Sequence, residues 1–257
     1  MRLPPVLSST DAPVPGAIFE VMWRRTLLVG FLLAAPAVAQ EPADQGNRRR
    51  ERERLVDQYI AAAGIQDRAT LKALRTVPRH EFVPAAEQAR AYEDIPLPIG
   101  HGQTISQPAV VATMTELIRP RPGLRVLEVG TGSGYQAAVL AETGARVWTI
   151  EIFEALADQA RTRLARLGYD RVTVRHGDGY AGWPEEAPFD AIVVTAAADS
   201  IPPALIEQLA PNGRLVMPIG APDAYQALVL VQKDPRGRLS VREMLPVRFV
   251  PFLRGIR

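Results

Sequence analysis

The 257-residue chain contains no cysteine, which excludes disulfides, thiolate metal sites and cysteine nucleophiles. Its three histidines, His80, His101 and His176, are too scattered along the chain to suggest a metal site. An excess of one charge is also lacking. Thirty Lys and Arg against 28 Asp and Glu leave a formal net charge of +2, too small by itself to argue for nucleic acid. The apolar run Leu27–Ala35 is too short to span a bilayer comfortably. What remains is ordinary: 47% hydrophobic and 23% charged residues describe a soluble protein with enough apolar material for a core, in one or two domains.

The chain is organised around Arg125–Glu151. Val126–Val129 is a short apolar run that reads as a buried parallel strand. Gly130, Gly132 and Gly134 follow at alternate positions, as a sharp turn that brings backbone close to a ligand requires. Tyr135–Glu142 opens a helix whose free N–H groups face that ligand. Val147–Ile150 is a second strand, and Glu151 stands at its carboxyl end, where open α/β sheets place an acid on a ribose. The spacing is G-x-G-x-G, not the dinucleotide G-x-G-x-x-G. Glu128 precedes the loop and would repel a pyrophosphate, but it suits a ligand with a cationic centre. These residues favour S-adenosyl-L-methionine over NAD. The competing reading is a tight βα turn with no ligand.

Met1–Val21 is proline-rich and without periodicity. Met22–Ala39 has Arg24 and Arg25, an apolar run and Ala37-Val38-Ala39, the pattern of a secretory signal; a hydrophobic N-terminus on a cytosolic enzyme is the alternative. Glu41–Asn47 reads as a polar linker. Arg48–Arg54 reads as a solvated helix face laced with ion pairs, with Leu55, Tyr59 and Ile60 as its apolar stripe and Gly64 as its end. Asp67 caps a second helix that Pro78 stops, with Leu71 and Leu74 inward. Val77–Gln107 is mostly loop, and so long a loop is more often functional than idle. Ser106 is placed to cap the helix beginning near Pro108. Further strands are read at Val172–Val174, Ala191–Val194 and Leu215–Ile219, with a hairpin formed by Ala227–Val231 and Leu239–Leu245. Alternating strand and helix with a terminal hairpin gives a mostly parallel sheet with an antiparallel edge.

From about Leu55 to Gly255 these residues resemble the protein-L-isoaspartate (D-aspartate) O-methyltransferase family. The resemblance rests on Val77–Pro84, Tyr92–Gly100, Gly102–Pro108, Leu127–Tyr135, Gly177–Gly179 and Pro211–Gly220. The glycine loop marks only a class I methyltransferase; Gly-Gln-Thr-Ile-Ser-Gln-Pro is far more specific. The fold implied is α/β and Rossmann-like: a doubly wound, mostly parallel seven-stranded sheet with an antiparallel C-terminal hairpin, preceded by N-terminal helices. Residues 1–47 would be a signal-like extension and linker, and 48–257 the methyltransferase domain.

The implied reaction is methyl transfer from S-adenosyl-L-methionine to the free carboxylate of isoaspartyl and D-aspartyl residues. The labile ester collapses to a succinimide that partly reopens as normal aspartate, which is protein repair. Glu128, Gly130, Thr131, Gly132, Ser133 and Gly134 would hold the methionine portion, and Glu151 with Ile152 the ribose. Asp178 and Gly179 would border the adenine, although Asp178 also suits a simple turn. Thr104, Ile105, Ser106 and Gln107 would close over the cofactor, with Ser106 as the catalytic residue. Its helix-capping role competes with that assignment. The partners implied are isoaspartyl proteins and peptides, with no nucleic acid, no stable membrane span and a monomeric enzyme. Cofactor supply and the family place it in the cytoplasm; use of Met22–Ala39 as a signal would place it in the periplasm. After Ala191–Val194, Thr195-Ala196-Ala197-Ala198 stands where amine methyltransferases commonly carry an Asn/Asp-Pro-Pro-aromatic turn, and this suits a bulky carboxylate better than an amine. A small-molecule or RNA methyltransferase, a dehydrogenase and a non-catalytic cofactor-binding module are the other readings.

Overall fold

The computed structural model describes residues 43–221 and 224–255. The signal-like segment Met22–Ala39 lies outside the described residues. Helix α1, Ala43–Leu55, begins inside the stretch read as a polar linker and continues into a wider π-type turn, Val56–Ile60. Its charge run forms ion pairs along the helix, Arg48 with Glu51 and Arg49 with Glu53. Leu55, Val56 and Ile60 are buried; Tyr59, read as part of that stripe, is 55% exposed because the wider turn rotates it outward. Helix α2, Arg68–Thr76, starts where Asp67 accepts the Thr70 N–H at 2.7 Å.

The stretch read as loop contains a hairpin of β1, Leu97–Gly100, and β2, Gln103–Ile105. His101 and Gly102 both have positive φ, 52° and 68°, as a tight two-residue hairpin turn requires. Pro98 lies in β1 with its side chain exposed, a position an edge strand tolerates. Helix α3 then runs Pro108–Leu117 and buries Val111 and Met114.

The main sheet comprises β3 (Arg125–Val129), β4 (Arg146–Glu151), β5 (Val172–His176), β6 (Phe189–Val194), β7 (Leu209–Ile219), β8 (Gln226–Lys233) and β9 (Leu239–Val247). Their order is β5-β4-β3-β6-β7-β8-β9, parallel from β5 to β7 and antiparallel at β8 and β9. The seven strands, the mostly parallel pairing and the terminal hairpin agree with the sequence expectation. Strand β7 begins earlier than the sequence suggests. The Pro211-Asn212-Gly213 turn shifts register inside it, and Leu209 already pairs Phe189.

Helix α4, Tyr135–Glu142, packs with α3 and with α5, Glu154–Arg166, on one sheet face, where Val126, Val147 and Val193 meet Met114, Ala137 and Leu140. The seven residues Tyr135–Ala141 are all buried, because α2 covers the outer side of α4. Leu127, Ile150 and Val194 fill the opposite face under α6, Pro203–Gln208. The strand order reverses between β3 and β6, and in open α/β sheets ligands bind at that point, outside the carboxyl ends of the strands. Among the described residues no helix is long and apolar enough to cross a membrane.

Candidate active site

A cleft opens at that reversal. Its larger part encloses about 530 Å³ and is lined by Gly130 and Gly132 from the loop after β3, Glu151 and Ile152 after β4, Gly179 after β5, and Thr195 after β6. A smaller part, about 300 Å³, lies between the flap residues Thr104, Ile105 and Ser106 and the loop residues Thr131 and Ser133. The two parts share Thr104, Gly130, Gly132 and Thr195, so flap and glycine loop are opposite walls of one space.

The loop is held by its own backbone. The N–H groups of Gly130 and Thr131 donate to the Ile150 carbonyl at 2.8 and 3.2 Å, and Gly134 N–H to Thr131 at 2.8 Å. Gly130 has φ 97°, and a Cβ there would lie 2.4 Å from Thr195 Oγ1. That hydroxyl cannot simply swing aside, since it donates to the Gly130 carbonyl at 2.6 Å. Gly179 is similarly obligatory: a Cβ would meet Val129 at 2.2 Å. Ser133 accepts the Tyr135 N–H at 3.4 Å, a weak local support for α4.

The two acids differ. Glu151 lines the cleft; its carboxylate accepts Gly132 N–H at 2.7 Å and Phe153 N–H at 3.1 Å. Burial raises its pKa above the ordinary value, and these backbone donors oppose the rise. Glu128 lines neither part of the cleft. It is fully buried behind the loop, where Thr149 donates to Oε2 while Oε1 has no partner among the described residues. Loss of solvent pushes its carboxyl up to about 8, and the charge of Glu151 adds to the rise. Thr131 hydrogen bonds Thr149 at 2.6 Å, so its hydroxyl faces this buried cluster.

Ser106 does not cap α3. The N-cap is Gln107, which gives no side-chain cap bond, and the Ala109 N–H is taken by Asp94 at 2.8 Å. The Ser106 hydroxyl therefore has no competing bond among the described residues and lines the smaller part of the cleft. Gln107 lines neither part; its amide donates to Asp94 at 2.9 Å. Asp178 lines neither part and acts as a turn residue, accepting Tyr180 N–H at 2.9 Å and Gly255 N–H at 3.0 Å. Gln103, Thr195 and Ala196 line the larger part as well, and sequence reasoning missed the C-terminal segment Val250–Leu253. That segment is bound to the end of β6 through Ala197 N–H to Val250 (2.9 Å) and Phe252 N–H to Ala197 (2.7 Å). The apolar Val-Pro-Phe at the chain's end is its only sequence signal.

The lining contains the Glu151 carboxylate and, among the described residues, no Lys or Arg. A pyrophosphate would find no counter-charge there beyond backbone N–H groups. A cationic ligand with hydroxyl groups fits better, with the Glu151 carboxylate as its counter-charge.

The family model for protein-L-isoaspartate(D-aspartate) O-methyltransferase matches residues 50–256. A protein-L-isoaspartate O-methyltransferase of Opitutus terrae is 54% identical over 231 residues, 90% of this chain and 97% of that one. A second, from Syntrophobacter fumaroxidans, is 60% identical over 189 residues, 74% of this chain and 76% of that one. Among solved structures, a protein-L-isoaspartate O-methyltransferase matches with TM-score 0.73 at 33% identity, over 79% of this chain and 66% of that one. A Plasmodium falciparum protein solved in complex with S-adenosyl-L-homocysteine matches with TM-score 0.68 at 26% identity, over 79% of this chain and 99% of that one. The chain belongs to the protein-L-isoaspartate (D-aspartate) O-methyltransferase family.

Proposed function

We propose that this protein methylates the free carboxylate of isoaspartyl and D-aspartyl residues in damaged proteins, using S-adenosylmethionine held in the cleft between glycine loop and flap. The observation that carries the reading is the cleft itself: a carboxylate at the end of β4, no cationic side chain in the lining, and an uncommitted serine hydroxyl opposite. When bound, S-adenosylmethionine supplies an electrophilic methyl group on a cationic sulfur. Glu151 accepts hydrogen bonds from the ribose hydroxyls, with Ile152 beside it. Gly130, Gly132 and Ser133 bring backbone against the methionine portion, and Gly179 and Phe252 border the base. Glu128 and the Thr131 hydroxyl act from behind the loop, holding its shape through their hydrogen bonds with Thr149.

The acceptor is a carboxylate whose unperturbed pKa is near ~4, so it is ionised at neutral pH and needs no general base. The Ser106 hydroxyl donates to that carboxylate and fixes its direction. Thr104 and Ile105 close the wall, and Ala196, together with the buried Ala197 and Ala198 behind it, keeps water away. Alignment of this kind is worth up to roughly 7–11 kcal/mol in favourable intramolecular models.

An isoaspartyl peptide and its aspartyl twin, offered with methyl-labelled cofactor, test the assignment. Label is expected on the first only, as a base-labile ester. Label on RNA or on a small amine instead would replace it. Ser106→Ala is expected to lower turnover by about 100-fold, by analogy with loss of one transition-state hydrogen-bond donor, with cofactor affinity unchanged. Equal turnover would remove Ser106 from the mechanism. We place the enzyme in the cytoplasm as a monomer without a nucleic-acid partner, since export would separate it from its cofactor. N-terminal sequencing of the native protein checks the location and light scattering the monomer, and the RNA arm of the label assay checks the third point.

A further inference from the structure

The flap has a support outside the residues that line the cleft. Asp94 precedes the hairpin, yet its carboxylate reaches both sides of Pro108. Oδ2 accepts Gln107 Nε2 at 2.9 Å, and Oδ1 accepts the Ala109 N–H at 2.8 Å. These partners lie 13 and 15 residues further along the chain. A helix cap alone needs only the second bond. The first holds the side chain of the residue next to Ser106, and Pro108 between the two has a locked φ and no N–H of its own. One carboxylate thus clamps the chain where it turns from β2 into α3. The segment carrying Asp94 is anchored in turn: the Ile95 carbonyl accepts Arg79 Nη2 at 3.2 Å, and the fully buried Arg79 guanidinium lies 4.8 Å over the Tyr135 ring at the start of α4.

We propose that Asp94 is the positioning residue for Ser106, and that Gln107 is the clamp's partner, not a cofactor ligand. The inference rests on the role given to Ser106 above. With the clamp closed, the serine backbone has one course into the cleft, and the hydroxyl needs no bond of its own to stay there. Without it, the first turn of α3 loses its acceptor and Gln107 its anchor, and the hydroxyl samples directions that do not meet the substrate.

The test compares Asp94→Ala, Gln107→Glu and the double variant Asp94→Asn with Gln107→Glu, each assayed with an isoaspartyl peptide and titrated with S-adenosylhomocysteine by calorimetry. Asp94→Ala is expected to lower kcat by about 30-fold, within the range that small misplacements cause. S-adenosylhomocysteine affinity should stay within about twofold. Gln107→Glu sets two carboxylates against each other and lowers kcat by about tenfold. Adding Asp94→Asn restores kcat to within about threefold of the native enzyme, because the new amide donates to the new carboxylate while its oxygen keeps the Ala109 N–H. A double variant no better than Gln107→Glu would overturn the proposal. So would native kcat in Asp94→Ala beside a slow Ser106→Ala, which leaves the function assigned to the site standing. If Asp94→Ala fails to fold, the reciprocal pair still decides, since each of its variants keeps an acceptor for Ala109. Native turnover in Ser106→Ala would remove the serine's role and with it the clamp's purpose; the isoaspartyl specificity is then judged separately by its own label.

Discussion

The two walls of the cleft are built by opposite means. The glycine loop is a strand-to-helix turn pinned by backbone bonds to Ile150, by the Glu151 carboxylate and by the Thr195 hydroxyl, with a helix buried on every side behind it. The flap is a short hairpin with an exposed tip, His101 and Gly102, and an exposed Thr104, joined to α3 through one carboxylate. Residues that hold the loop also hold the fold, whereas the flap anchors in the core through Leu97, Ile99 and Ile105 and leaves its tip and Thr104 outside it. Damage to the first wall should therefore appear in stability and cofactor affinity together, and damage to the exposed positions of the second with little change in stability.

Gly130→Ala should break the loop wall most severely. Positive φ and the 2.4 Å approach to Thr195 Oγ1 act together, so a stability loss on the order of 3 kcal/mol or more is expected, with cofactor binding lost beside it. Calorimetric melting and titration with S-adenosylhomocysteine check this; a native-like melt would show that the loop has slack it is not credited with.

Glu128→Gln probes the same wall from behind. In the folded protein this carboxyl titrates near 8, above its ordinary 4.5, so the fold keeps a proton that the unfolded chain has released. Stability is therefore lost as pH rises from about 4.5 to about 8 and is level beyond. The glutamine variant is spared this cost. Its melting advantage over the native protein should be near zero at pH 4 and reach a few kcal/mol above pH 8, since holding that proton costs on the order of 1.4 kcal/mol for each pH unit climbed. A pH-independent difference would mean that Glu128 is ionised in the fold.

Glu151→Ala is expected to weaken S-adenosylhomocysteine binding by roughly ten- to a hundredfold, the worth of a hydrogen bond to a charged group. Unchanged affinity would count against the ribose assignment. The flap supplies the smallest stability effect: Thr104→Ala should shift stability by under about 0.5 kcal/mol, as for other exposed positions. A large destabilisation there would erase the contrast between the walls.

Much of this is legible in the residues alone. Val126–Val129, Val147–Ile150 and Ala191–Val194 are rich in β-branched and apolar residues, with Glu128 the exception, so length and propensity agree. Asp67 caps α2 because a cap is a matter of three neighbouring residues. The hairpin of the flap is not legible, since prolines at 96 and 98 read as breakers and an edge strand forgives them. Ser106 misleads as a cap for the same kind of reason: it is the right residue type at the right offset, but a distant Asp94 outcompetes it.

The strand and helix series, the glycine turn, the acid at the end of β4 and, through the resemblance, the reaction class follow from the order of residues. These depend on contacts within a few residues, where dihedral preference and side-chain spacing are decisive. Three further features come from the folded arrangement: Glu128 is sealed behind the loop, Val250–Leu253 folds across the end of β6, and one carboxylate holds the flap. Each of these joins residues far apart in the chain, and burial and hydrogen-bond pairing exist only once the sheet has brought them together.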